Sequence, residues 1–167
     1  MPEAQLDRFL LRVSIGHPAH DDEVELLRRR VTRRSDTIQL RPIIDADGVR
    51  RLQSGVETVH VGDDVLDYAV ALTAATRRAD AVEAGASARG SLALVKVARA
   101  RAGLAGRSFV TPDDIKTIAV AALAHRIVLR PEAWVRGATA TAVVEECLAR
   151  VPTPLPLTTE DRRAAGP

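Results

Sequence analysis

The 167 residues carry a net charge of +2 and 46% apolar side chains, but only 2% aromatic ones. That length suits one domain with flanking pieces, and an aromatic-poor core must be built from Ala, Val, Leu and Ile, which favours packed helices. The small charge excess gives no ground for nucleic-acid binding. The single cysteine, Cys147, excludes an intrachain disulfide and fits a reducing compartment. No membrane-spanning apolar run or signal-peptide pattern is found, so the default expectation is a soluble, cytoplasmic protein.

Taken in chain order, Leu11, Val13 and Ile15 alternate with their neighbours and predict a strand ended by Gly16 and Pro18. A strand needs partners for its backbone N–H and C=O groups. Helical patterns follow it, so the rest of its sheet is expected upstream. Asp21-Asp22-Glu23 opens a predicted helix reaching about Arg34, with Val24, Leu27 and Val31 as its buried stripe. Ile38 to Pro42 reads as extended or loop-like, because Pro42 argues against a central strand. A second helix follows Asp47, with Val49, Leu52, Val56 and Val59 on one side. A third runs from about Asp63 to Arg78 over Val65, Leu66, Ala69, Leu72 and Ala75.

A fourth helix starts near Ser87 and reaches Leu104, presenting Leu92, Val95, Ala98 and Ala102. A fifth begins at Thr111 and presents Ile115, Ile118, Ala119, Ala122 and Leu123. Arg126 to Arg130 reads as a short strand, and a last helix spans about Ala140 to Arg150. The tail from Val151 is rich in proline and reads as extended or disordered.

Two helix starts contrast. Thr111-Pro112-Asp113-Asp114 obeys every local rule: a capping hydroxyl, Pro at the first helical position, and acids at the positive end of the dipole. Ser87-Ala88-Arg89-Gly90-Ser91 does not. Ser87 can cap, but Arg89 opposes the dipole and Gly90 costs about 1 kcal/mol against Ala. Such a turn, with an added arginine, suits an anion such as phosphate. The other reading is an exposed arginine on a surface helix, and the residues alone favour this second reading. Arg8, beside Asp7, is an ordinary charged residue by the same standard.

Other features carry less. The run Arg28-Arg29-Arg30 with Arg33-Arg34 ends a helix that begins with acids. That order complements the dipole and marks a solvated helix end, and no aromatic residues interleave it as a base-stacking surface requires. His17, His20, His60 and His125 share no zinc-like spacing with Cys147, so no metal site is expected. Cys147 reads as a packing residue and Trp134 as an anchoring side chain in a connector. No nucleophile-elbow motif occurs.

Several segments together resemble the MoxR family of AAA+ ATPases. Pro2-Glu3-Ala4-Gln5-Leu6-Asp7-Arg8-Phe9 is similar to that family's motif at the end of its core domain, and Gly85-Ala86-Ser87-Ala88-Arg89-Gly90 to its second sensor motif. Gly106 to Asp114 and His125-Arg126-Ile127 are similar to recurrent lid segments. Order and spacing agree from residue 2 to about 150. Ala88 stands where the family usually has Pro, a change that keeps a good helix former.

The resemblance implies a mainly α fold: a helical-bundle lid (residues 19–150) preceded by a one-strand remnant of the α/β core (residues 1–18) and followed by the tail (residues 151–167). It implies that Arg8 is an arginine finger acting on a neighbouring subunit's ATP, and that Arg89, with Ser87, is the sensor-2 contact to the γ-phosphate. ATP and Mg²⁺ would be the cofactors of the intact protein. Partners would be other ATPase subunits in a ring, commonly a hexamer, and proteins with von Willebrand A domains. The function implied is ATP-driven, chaperone-like remodelling of protein partners.

The sequence contains no G-x-x-x-x-G-K-[ST] loop, so the backbone cradle and lysine for the phosphates are missing. The 167 residues are therefore expected not to hold nucleotide tightly or hydrolyse ATP alone. Truncation, a mis-set start and expression as a fragment would each produce such a chain. The alternative is a non-catalytic helical protein-interaction module.

Overall fold

The structure is a computed structural model that describes residues 3–155. Two compact units are present: one is Val13–Leu52, and the other combines the segment up to Arg12 with the chain from Gln53 onward.

In Val13–Leu52, helix α2 (His20–Arg33) begins with Asp21, Asp22 and Glu23 and ends with Arg30 and Arg33, the charge order that the helix dipole favours. Glu25 pairs with Arg28 and Arg29 one turn on. Arg34 closes the helix in the left-handed region, its N–H donating to Arg30 O at 3.1 Å. The expected stripe is not buried: Leu27 and Val31 are exposed, and α2 contains no buried residue. Helix α3 (Ala46–Glu57) starts where the Asp45 carboxylate accepts the Gly48 N–H at 2.7 Å. Val49 and Leu52, expected on its buried side, are exposed.

The larger unit opens with the single turn α1 (Glu3–Leu6). Its body is a helical bundle: α4 (Asp63–Arg78), α5 (Ala88–Leu104), α6 (Pro112–Leu123) and α8 (Ala140–Arg150). Helix α5 packs against α4 and α6, and α8 packs on both of those. Leu72, Leu94, Ile115, Leu123 and Val144 are fully buried, each contributing about 1.5–3 kcal/mol on burial. Ala69, Ala98, Ala102, Ala119 and Ala122 show no exposed surface and let the helices approach closely. The mainly α expectation holds, and the core is aliphatic as composition required.

Between the helices lie β1 (Val82–Ala84) and β2 (Val128–Leu129), paired antiparallel with Val82 opposite Leu129. A 3₁₀ turn (Ala124–Arg126) joins α6 to β2, and the short α7 (Pro131–Val135) precedes α8. The predicted strand over Arg126–Arg130 is thus shorter, with Arg126 in the 3₁₀ turn. Cys147 packs beside Val82 and Val143, where burial pushes its thiol pKa up. Trp134 is exposed and anchors nothing in the core. The chain after α8 is irregular to Leu155, and the tail from Pro156 lies outside the described residues.

The strand expected at Leu11–Ile15 does not form. Arg12 N–H donates to Ala121 O at 2.9 Å, and Val13 and Ile15 are 71% and 94% exposed. Alternation marks a face that could be buried but supplies no neighbour to bury it. Among the described residues β1 and β2 pair only with each other, and the segment joins neither.

Candidate functional site

The residues that sequence reading marked lie where α5 begins. Ser87 has extended backbone, and its Oγ accepts the Arg89 N–H at 3.2 Å, so it caps α5 as expected. The turn before it is fixed by the end of α4. The Ala86 N–H donates to the buried Thr76 hydroxyl at 3.1 Å, and Arg77 Nε donates to Ala86 O at 2.7 Å. Gly85 lies so near α4 that a Cβ would meet the Arg77 backbone at 2.6 Å. Gly90 is buried, and a Cβ there would meet Leu123 Cδ2 at 2.9 Å and Ala86 Cβ at 3.1 Å. Close packing of α5 on α6 therefore explains the glycine.

The arginine has a different partner. The Asp7 carboxylate, from the N-terminal segment, reaches the same turn: Ser87 Oγ donates to it at 3.2 Å and Arg89 Nη1 at 3.3 Å. Arg126 holds the other side of that carboxylate, Nη1 to Oδ1 at 2.9 Å. The Arg126 side chain is 2% exposed. Its Nε donates to Ala122 O at 2.7 Å, Nη2 to Phe9 O at 2.6 Å and Nη1 also to Asp7 O. His125 Nε2 lies 3.1 Å from Phe9 O, a contact that places its proton on Nε2. Burial raises the Asp7 pKa, but hydrogen bonds from Arg126 and Arg89, the Arg126 charge and the Ser87 hydroxyl outweigh it, so the carboxyl sits below the ordinary aspartate range.

Arg8 is exposed, and its guanidinium makes no hydrogen bond or ion pair with any described residue. Arg8, Arg89, Lys96 and Arg126 line one open cleft of about 440 Å³, and Asp7 is its acid. The structure thus brings Arg8, Ser87 and Arg89 together. Sequence reading missed Lys96, which follows Arg89 by two turns of α5, and the joining roles of Asp7 and Arg126. The adjacency of Asp7 and Arg8 was visible, but their separation from Arg126 in sequence hid the contact. A cleft with this excess of cations can hold or sense a polyanion. A second cavity of about 240 Å³, bordered by Asp64, Val65, Pro112, Asp113 and Leu155, has no such charge. No described helix is long and apolar enough to cross a membrane.

Comparison with known proteins bears on the family and the fold. Residues 74–147 match the AAA lid domain. The chain is 39% identical over 156 residues to an uncharacterized protein, YeaC, of Bacillus subtilis, covering 93% of this chain and 48% of that one. It is 32% identical to chaperone MoxR1 of Mycobacterium tuberculosis (92% of this chain, 42% of that one). It is also 32% identical to protein MoxR of Paracoccus denitrificans (92% and 51%). The chain spans about half the length of these curated relatives. A crystal structure from Cytophaga hutchinsonii, described provisionally as that of an ATPase, superposes with a TM-score of 0.85 at 30% identity, over 93% of this chain and 49% of that one. Over nearly its whole length the chain corresponds to the C-terminal, lid-bearing region of MoxR-family AAA+ proteins.

Proposed function

We propose that this chain supplies the lid side of an ATP site in a chaperone-like AAA+ machine, which couples ATP binding and hydrolysis to remodelling of protein partners. The observation that carries the reading is the placement of Arg89, in the Ser87-capped first turn of α5, on a cation-rich cleft. Arg89, oriented by the Ser87 cap, contacts the γ-phosphate of nucleotide held by the core of the same subunit. Arg8, exposed and without an ion pair among the described residues, acts as an arginine finger on the nucleotide of the next subunit. Arg89 and Lys96 supply the cations that fit phosphate oxygens. Among the described residues the cleft's one carboxylate, Asp7, is taken up by Arg126 and Arg89.

ATP and Mg²⁺ are then held by a nucleotide-binding core, and these 167 residues alone do not turn over ATP. Residues 19–150 act as the lid, in a ring of like subunits, commonly a hexamer, in the cytoplasm. Partners with von Willebrand A domains follow from the family resemblance alone. The exposed Leu40 and Ile43 in Val13–Leu52 favour a second reading, a non-catalytic interaction module.

The test is kinetic. The isolated chain is expected to show background ATPase activity only. In protein carrying a nucleotide-binding core, Arg8→Ala is expected to lower hydrolysis by about 10³-fold or more, the scale of an arginine finger elsewhere, with ATP affinity largely kept. Arg89→Ala is expected to lower both. Turnover by the isolated chain that Arg89→Ala abolishes, or equal loss of binding and hydrolysis in Arg8→Ala, would overturn the assignments.

A further inference from the structure

The carbonyls on either side of Arg8 are held by one buried side chain. Arg126 donates Nη1 to Asp7 O and Nη2 to Phe9 O. The same Nη1 takes the Asp7 carboxylate at 2.9 Å. His125 Nε2 meets Phe9 O as well, and Arg12 N–H donates to Ala121 O. Capping the end of α6 requires only Arg126 Nε, which donates to Ala122 O. Both terminal nitrogens are left for the N-terminal segment, and a planar guanidinium fork fixes that segment in orientation as well as in place.

We infer that Arg126 and Asp7 are positioning residues for Arg8: they latch the Asp7–Phe9 segment to the end of α6, so that the backbone on both sides of Arg8 is fixed and its guanidinium is presented in a set direction. Asp7 also takes Arg89 and Ser87, which ties the two nucleotide-facing arginines to one carboxylate. The functional part of this inference rests on the reading of Arg8 as a finger; the latch itself does not.

The latch is tested first in the 167-residue chain by limited trypsin digestion, following cleavage of the Arg8–Phe9 bond, while amide hydrogen exchange follows α4 to α6. A protease must draw this segment out extended, so cleavage reports latch opening. Asp7→Asn and Arg126→Gln are expected to raise the cleavage rate about tenfold or more, the scale of one lost charge-assisted hydrogen bond, with protection of α4 to α6 unchanged. Arg126→Lys keeps the charge but not the fork and is expected to restore only part of the resistance. Should Arg126→Gln fail to fold, Asp7→Asn decides alone, since Asp7 lies outside the helical core. Unchanged cleavage in folded Asp7→Asn would overturn the latch.

The positioning role is read in core-bearing protein. Arg126→Lys, which leaves the Asp7 contacts to Arg89 and Ser87 in place, is expected to lower kcat with KM for ATP largely kept, and to add nothing to Arg8→Ala when the two are combined. Multiplicative losses would refute positioning. An Arg8→Ala variant with full ATPase activity would remove the finger reading and leave the latch, as read by cleavage, standing.

Discussion

Asp114→Ala is expected to be among the most costly single changes in the helical bundle. The Asp114 side chain is 2% exposed. Its oxygens accept Arg107 Nη1 at 2.7 Å and Nη2 at 2.6 Å, and the Thr111 N–H and hydroxyl at 2.9 Å each. Arg101 Nε stands 3.3 Å away. Removing one partner of a buried pair costs about 3–5 kcal/mol, and losing a helix cap costs about 0.5–2 kcal/mol. These do not add, because the same oxygens serve both. Arg107 remains 28% exposed and can recover some hydration after the change. The expected loss is therefore near the lower bound, about 3 kcal/mol, or about 10 °C in Tm for a domain of this size. Urea unfolding followed by circular dichroism measures it, with Thr111→Val as the control that removes only the hydroxyl. A loss below about 1 kcal/mol, or an equal loss in Thr111→Val, would refute the view that the buried carboxylate organises this corner.

Two further outcomes are expected. Both Asp114 and Asp7 have pKa values held low: burial raises each, but hydrogen bonds from Arg107 and Thr111, or from Arg126 and Arg89, outweigh it. A depressed folded pKa gives stability that is complete above the unfolded value, about 3.9 for aspartate, and is lost as pH falls through the folded value. Unfolding free energy should therefore stay nearly flat from about pH 7 to 5 and fall below about pH 4, and Asp114→Asn should flatten that fall; an unaltered acid limb would contradict the assignment. Gly90→Ala gains about 1 kcal/mol in helix propensity but forces a methyl against Leu123 and Ala86, a crowding worth about 1–3 kcal/mol. A net loss of about 1 kcal/mol is expected in thermal melts, and Gly85→Ala should cost more because its obstacle is backbone; a stabilised Gly90→Ala would show that α5 is not tightly packed there.

The limits of α4 were legible because acids at its start, bases at its end and aliphatic spacing all agreed, and those of α8 because aliphatic spacing ran up to Arg150. Faces were less legible. Leu92 was expected inward on α5 but is exposed, while Ala93 and Leu94 are buried. An alanine-rich helix is apolar on several sides, and only the neighbours decide which side is covered. The stripes of α2 and α3 failed for a related reason: periodicity states that a face can be buried and says nothing of what buries it. The turns α1 and α7 and the strand β1 were missed because a three- to five-residue element is too short to display a period.

The site was legible as a conflict. Arg89 stands in the first turn of α5, where the dipole calls for an acid and none follows it in sequence. The structure supplies that acid from 80 residues away, in the Asp7 carboxylate that also takes the Ser87 hydroxyl. Half of the rule-breaking was therefore a tertiary contact written as a local fault, and the glycine half was packing against Leu123. What local rules leave unexplained is the geometry around Arg8, whose flanking carbonyls are held by Arg126 while its own side chain is exposed. A buried guanidinium can be satisfied by many carbonyls. Its use on these two fixes the one residue between them, and that arrangement has a mechanical consequence only if Arg8 has something to touch.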